Sequence, residues 1–187
     1  SKVALFNVNR ANYQQVYESE KLDVVIGSFG EAVKRYSTQL LYTEQHVCLY
    51  DGDVCKFSDP ISLLEFTSVE HALVSPNGAM STGVDKKLEE RGLKRQVSFI
   101  SSNFLTVKNL IQGRELICIV PKLVATQQNT VNSIKAVMPP IDVPDFDIQL
   151  MYRKGMLKDN KNKFIRNLVS ETVIRIAKKG QDTNQSF

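Results

Sequence analysis

Five hydroxyl side chains stand where they could hold a small anion: Ser75, Ser81 and Thr82 follow one apolar run, and Ser101 and Ser102 follow another. A helix start leaves unpaired N–H groups and a partial positive charge of about half an electron, so a hydroxyl placed there can join those groups around a carboxylate or phosphate. Binding, with no bond made or broken, is the chemistry these residues suggest. The plainer reading of each is a helix cap with no ligand, the ordinary use of Ser and Thr at such positions.

The elements that would position them repeat one pattern. His71 to Ser75 reads as an apolar strand, Pro76-Asn77-Gly78 as a turn, and Ser81 to Asp85 as a helix start in which Thr82 and Asp85 have capping-box spacing. Val84 and Leu88 should face inward, and Gly92 should end the helix in a left-handed conformation. Gln96 to Ile100 is again strand-like, Ser101 or Ser102 is expected to cap, and Phe104, Val107, Leu110 and Ile111 follow at helical spacing up to Gly113. A third strand, Leu116 to Val120, closes at Pro121. In open α/β sheets ligands sit beyond the carboxyl ends of the strands, where both hydroxyl turns are expected.

Other chemistries find less support. Cys48, Cys55 and Cys118 form an odd set without CxxC spacing, so neither a zinc site nor a disulfide framework is expected, and Cys118 lies within an apolar strand. The two histidines, His46 and His71, offer no convincing base for a thiol nucleophile. Asp23 and Asp85 are the acids nearest the candidate turns, and they read as a strand start and a helix cap. No enzyme, metal or cofactor is therefore expected.

The composition, 42% hydrophobic and 24% charged, is that of an ordinary globular protein. No apolar run approaches the roughly 18 residues of a membrane span, and the N-terminus lacks the pattern of a secretion signal, so a cytoplasmic location without membrane contact is expected. The formal charge of +4 is uneven: from Met151 onward nine Lys and Arg oppose Asp159, Glu171 and Asp182, about +6 in that segment. Phe164, Ile165, Leu168, Val169, Thr172, Val173 and Ile176 form an apolar stripe there, which makes the basic residues the solvated face of a packed helix in preference to a DNA contact.

Along the chain, Val3 to Val8 reads as a strand, Asn9 to Glu20 as a short helix with Tyr13, Val16 and Tyr17 inward, and Leu22 to Ile26 as a buried strand ending in the loop Gly27-Ser28-Phe29-Gly30. Strands follow at Leu40 to Thr43 and His46 to Tyr50, then a helix at Ile61 to Phe66 opened by Pro60 and capped by Ser58 or Asp59. Beyond Pro121 come a helix over Lys122 to Gln128, a strand over Ser133 to Met138, a proline-rich connection, a strand over Phe146 to Arg153 and a helix from about Asn160 to Lys178. The tail from Gly180 to Phe187 is polar. This order suggests an α/β chain that crosses between two lobes and returns, residues 1–52 with 144–187 forming one and residues 53–143 the other. A ligand cleft is expected between lobes, with the Gly27 loop facing the Ser75 and Ser101 loops.

Taken together, these segments resemble the effector-binding domain of LysR-type bacterial transcriptional regulators, nearest the nodulation, nitroaromatic and naphthalene branch. The resemblance rests on Leu22-Asp-Val-Val-Ile-Gly-Ser-Phe29, His71-Ala-Leu-Val-Ser-Pro-Asn-Gly78 with Gly83-Val-Asp85, Gly92-Leu93 to Val97, Gly113-Arg-Glu-Leu-Ile-Cys-Ile-Val-Pro121, and Leu150-Met-Tyr-Arg-Lys154 followed by Phe164-Ile165. It implies two Rossmann-like subdomains joined by a crossover hinge, a fold like the type 2 periplasmic binding proteins, here without the family's usual first strand and helix. It further implies a small-molecule effector, self-association as a dimer or tetramer, and DNA binding through an N-terminal winged helix-turn-helix not in this sequence. Carried over by position, the effector contacts would be Ser28, Phe29, Ser75, Ser81, Thr82, Ser101, Ser102, Phe104 and Pro121. A solute-binding protein or an enzyme on the same two-lobed fold is the alternative.

Overall fold

In the computed structural model, which describes residues 2–9, 11–30, 34–75, 79–126 and 133–182, the elements follow in the order α1 (Tyr13–Ser19), β1 (Val25–Gly27), β2 (Tyr36–Glu44), β3 (His46–Asp51), α2 (Leu63–Ser68), β4 (Glu70–Val74), α3 (Gly83–Glu89), β5 (Gln96–Ser101), α4 (Phe104–Leu110), β6 (Leu116–Pro121), α5 (Lys122–Thr126), β7 (Ile134–Val137), β8 (Phe146–Arg153) and α6 (Asn160–Asp182). The chain divides into two units, residues 1–43 with 146–179 and residues 44–145 with 180–187. The expected α/β class with a chain that leaves and returns is present. The first crossing falls after residue 43, not 52, because β3 pairs with β6 and β7 and so belongs to the second unit, and the return falls after 145, not 143.

The second unit holds a five-stranded mixed sheet in the order β5-β4-β6-β3-β7, with β4 parallel to both β5 and β6. The apolar run of β6 has partners on both sides. Leu116, Cys118 and Val120 pack with Val107 of α4, with Ile111 at its C-cap and with Ala125 of α5, while Ile117 packs with Phe66 of α2 and Leu88 of α3. Successive strand residues point to opposite faces, so a strand covered by helices on both sides needs an unbroken apolar sequence. Burying each large aliphatic side chain contributes roughly 1.5–3 kcal/mol.

α3 starts and ends as its residues specify. The Thr82 and Asp85 capping box forms, Val84 and Leu88 are buried, and Gly92 takes φ +70° while Leu93 N–H donates to Leu88 O at 2.9 Å. Two helix starts differ from expectation. α2 begins at Leu63, because Ser62 and Glu65 form a reciprocal capping box that neither Ser58 nor Asp59 can match. α4 is capped by Asn103, whose Oδ1 accepts from Leu105 N–H at 2.8 Å and Thr106 N–H at 3.4 Å, in place of Ser101 or Ser102. The expected turn at Pro76-Asn77-Gly78 and the end of the helix toward Gln128 lie outside the described residues.

The first unit has a three-stranded sheet in the order β1-β8-β2, with β1 antiparallel to β8. One face packs Val25, Tyr36 and Met151 against Tyr17 of α1, and the other packs Leu41, Leu150 and Tyr152 against Val169 and Val173 of α6. Three expectations change here. Val3 to Val8 forms no strand, since no described strand lies beside it to take its hydrogen bonds. The strand expected at Leu22 to Ile26 is Val25–Gly27, and Ile26 is 40% exposed. The apolar stripe of α6 is divided: Val169 and Val173 pack on the sheet, whereas Phe164 and Leu168 face outward, and the positions buried beneath the helix include Asn162, Arg166 and Ser170.

Candidate functional site

Ser75, Ser101 and Pro121 meet at one end of the five-stranded sheet. Val74 aligns with Ser101, and Ser75 N–H donates to Ser101 O at 2.8 Å, so β4 and β5 finish side by side with a hydroxyl on each. On the other flank Ala72 aligns with Cys118, and three residues on from that pair stand Ser75 and Pro121. All three mark the carboxyl ends of parallel strands, where successive strand and helix connections leave room for a ligand. Ser75 is buried, Ser101 half-buried and Ser102 exposed. Ser101 Oγ accepts from Asn103 N–H at 3.1 Å. That contact uses the oxygen and leaves the hydroxyl proton able to donate. Phe104 packs on the core cluster of Leu49, Val107 and Ile111.

Thr82 belongs to a different network. Its N–H donates to Asp85 Oδ2, its Oγ1 accepts from Val84 N–H and from Arg95 NH2 at 3.0 Å, and Arg95 also holds both Asp85 oxygens at 2.8 and 2.9 Å. The Arg95 side chain is only 2% exposed. From Arg95 to Ser101 the strand rises about 20 Å at roughly 3.3 Å per residue. The Thr82 cap, with the exposed Ser81 beside it, is therefore tied to the amino end of β5, and Ser75 and Ser101 stand at the carboxyl end. Ser28 and Phe29 follow β1 in the first unit, where Phe29 stacks on Tyr13 with ring centroids 5.1 Å apart and packs against the Tyr17 cluster.

Charge separates the helix starts of the second unit. Glu65 fills the start of α2 and Asp85 that of α3. The buried Glu44 reaches the start of α5, where Oε1 accepts from Leu123 N–H at 3.4 Å. α4 alone among these four is capped by a neutral amide, Asn103, beside Ser101 and Ser102. A second anion is repelled where a carboxylate already sits, and it is favoured at an uncompensated start. Neither Asn103 nor Glu44 is among the residues expected here from the sequence. Asn103 ranks with Ser as a cap and stands directly before Phe104, so its signal was available; Glu44 acts across 79 positions and left no local sign.

An open hollow of about 350 Å³ lies toward the amino ends of the strands, lined by Glu70, Phe99, Arg114 and Glu115 among others. Its two carboxylates suit an anion poorly. Among the described residues no group of three or more His, Cys, Asp or Glu is arranged to hold a metal, and no helix is long and apolar enough to cross a membrane.

The comparisons with known proteins agree with this architecture. A family model described as the LysR substrate binding domain matches residues 2–172. The HTH-type transcriptional activator NagR of Ralstonia sp is 25% identical over 91% of this chain and 56% of its own length. The regulator SyrM of Rhizobium meliloti is 23% identical over 82% of this chain and 47% of its own length, and the activator NahR of Pseudomonas putida is 23% identical over 83% and 52%. The chain thus spans about half the length of the curated relatives it matches. Among solved structures, the regulatory domain of MexT from Pseudomonas aeruginosa shares the fold with a TM-score of 0.69 at 22% identity, covering 84% of this chain and 76% of that one. A putative transcriptional regulator from Vibrio parahaemolyticus gives 0.73 at 17%, covering 90% and 79%. With its family model spanning nearly all of both units, this chain belongs to the LysR substrate-binding domain family.

Proposed function

We propose that this chain is the effector-sensing part of a cytoplasmic transcription regulator, and that a small aromatic or aliphatic carboxylate seats at the carboxyl ends of β4, β5 and β6. Ser75, Ser101 and Ser102 hold the carboxylate, and Phe104 and Pro121 give apolar contact. The observation that carries this reading is the pairing of Ser75 with Ser101 beside α4, the helix start with no carboxylate of its own. The names of the relatives support the regulatory role. Ligand binding shifts the balance between arrangements of a homo-oligomer and so alters how helix-turn-helix segments outside this chain present themselves to DNA. The site binds and releases its ligand unchanged, without cofactor or catalysis.

Dye-monitored melting of the chain against a panel of carboxylates tests this, since the protein has no Trp. A ligand at a hundred times its Kd adds about 2.7 kcal/mol of stability. The shift should weaken in Ser101→Ala and Ser102→Ala and persist in Thr82→Ala, whose ligand-free melting temperature falls because its cap is lost. A shift that survives the double variant S101A/S102A, or its absence with every carboxylate, would overturn the reading.

A further inference from the structure

α5 (Lys122–Thr126) has five residues, too few for a helix to hold itself in water, so its end groups must find partners elsewhere. Two buried charges provide them. Glu44, 5% exposed, reaches the start of α5, where Oε1 accepts from Leu123 N–H at 3.4 Å. Lys108 of α4, 8% exposed, reaches its last carbonyls, with Nζ donating to Val124 O at 3.3 Å and to Ala125 O at 3.4 Å. A carboxylate at the amino end and an ammonium at the carboxyl end both match the helix dipole. Leaving either buried charge without its bonds is costly, so α5 is bound to the positions of both.

The other contacts of α5 run to the places where the chain changes unit, which lie after Thr43, after Asp145 and after Lys179. Beyond Thr43, Glu44 Oε1 also accepts from Gln45 N–H at 3.0 Å, and Gln45 O accepts from Lys122 N–H at 2.8 Å. His46 aligns with Pro121, the residue before α5, and hydrogen-bonds the Pro144 carbonyl next to Asp145. Beyond Lys179, a Cβ on Gly180 would stand 2.5 Å from Leu123 Cδ1 and 3.1 Å from Thr126 Oγ1, so the last turn of α6 comes nearer to α5 than a side chain would allow. The proposed carboxylate seat adjoins both anchors of the same helix: Pro121 directly precedes α5, and Lys108 follows Phe104 by one turn of α4.

We propose that α5 relays occupation of the seat at Ser75, Ser101 and Pro121 to the segments by which the chain passes between its units, with Glu44 and Lys108 as the positioning residues that hold the relay. The proposal rests on the functional reading for what occupies the seat, and on the contacts of α5 for the relay itself. A ligand against Phe104 and Pro121 acts on α4 and β6 together. Because Lys108 and Glu44 are costly to leave unbonded, α5 follows that displacement and passes it to Gln45 and Gly180.

Coupling is demonstrated by perturbing one end and reading the other, so the test is residue-resolved hydrogen exchange on the ligand-free chain. Lys108→Met, which acts on the carboxyl end of α5, should speed exchange at Gln45 and Leu123 beside its amino end by about tenfold, the effect of losing one hydrogen bond to a charged group. Glu44→Gln keeps the shape and removes the charge, and it should speed exchange at Thr126 and Gly180. Phe104→Ala, at the seat, should reach Gln45 and Leu123 as well. The double variant E44Q/K108M should exchange no faster than the faster single variant, since both release one element. Lys108→Arg keeps the charge and should restore slow exchange, whereas filling the space alone would not. Amides of α3 should keep their rates throughout, which controls for folding; if Lys108→Met does not fold, Glu44→Gln read at Thr126 and Gly180 decides alone. Exchange that quickens only beside each substituted residue, or additive effects in the double variant, would overturn the relay even if carboxylates bind. Absence of a melting shift with every carboxylate would instead overturn the seat, and these ligand-free rates would not change.

Discussion

Arg95→Met should cost the second unit about 3 kcal/mol of stability, roughly the lower end of what breaking a buried ion pair costs. The substitution keeps an unbranched apolar stem in place of a side chain that is 2% exposed and removes three hydrogen bonds, two to Asp85 and one to Thr82. An independent gauge comes from Asp85. Burial alone would raise its carboxyl, but hydrogen bonds from Arg95 and Thr82 outweigh burial and hold it at about 2, below the ordinary 3.8. At 1.36 kcal/mol per unit, that difference corresponds to roughly 2 kcal/mol favouring the ionised carboxylate in the folded state. Because the folded value is depressed, this contribution is full above about pH 4 and is lost as pH falls toward 2. Urea unfolding followed by far-UV circular dichroism, for wild type, Arg95→Met, Asp85→Asn and the double variant at pH 7, should give a coupling of about 2 kcal/mol. A single-variant loss below about 1 kcal/mol, or a coupling near zero, would refute the assignment of Thr82, Asp85 and Arg95 to one structural network. Effector-induced stabilisation should survive in Arg95→Met, since this network stands at the other end of β5 from Ser101.

The buried His71 imidazole is held low, at about 4, mainly by burial, while its Nε2 lies 2.7 Å from Phe66 O. Acid protonates the unfolded chain first, so stability should fall by about 3 kcal/mol between pH 6.5 and 4, and urea midpoints in His71→Gln should lose that slope. Gly92→Ala should cost about 1 kcal/mol by thermal melting, since φ +70° strains any side chain and the space around the position is open. Burial pushes the Cys48 thiol far up and Cys118 up to about 12, so neither should react with iodoacetamide at pH 8 until the protein is unfolded; fast labelling of either would contradict the packed sheet.

Local signals made much of the second unit legible. Thr82 with Asp85, and Gly92 and Gly113 at helix ends, carry their instructions within a few residues, and the structure follows them. The apolar run of β6 likewise announces a strand covered on both faces. Legibility failed where a partner decides. Val3 to Val8 has the pattern of a strand, but a strand exists only beside another, and the pattern does not name its neighbour. The sequence order places β3 in the same lobe as β2, yet its hydrogen bonds go to β6 and β7, which moves the unit boundary. In the candidate site, the hydroxyls at Ser75 and Ser101 could be read from position alone. That Thr82 is engaged by Arg95, thirteen residues away, could not.

α6 carries apolar side chains around more than half its circumference, so its hydrophobic pattern alone specifies its rotation about the axis only weakly. The polar residues beneath it add direction: Asn162 donates to Asp23 O at 2.9 Å, Arg166 donates to Leu157 O at 3.0 Å, and the Arg166 guanidinium lies 4.1 Å from the centre of the Tyr152 ring. Hydrophobicity thus attaches this helix to the sheet, and a few directional contacts select its angular setting. Greasy-to-polar changes at Phe164 and Leu168 ought to be tolerated by the first unit, whereas a conservative loss at Asn162 would leave the helix attached without a unique orientation.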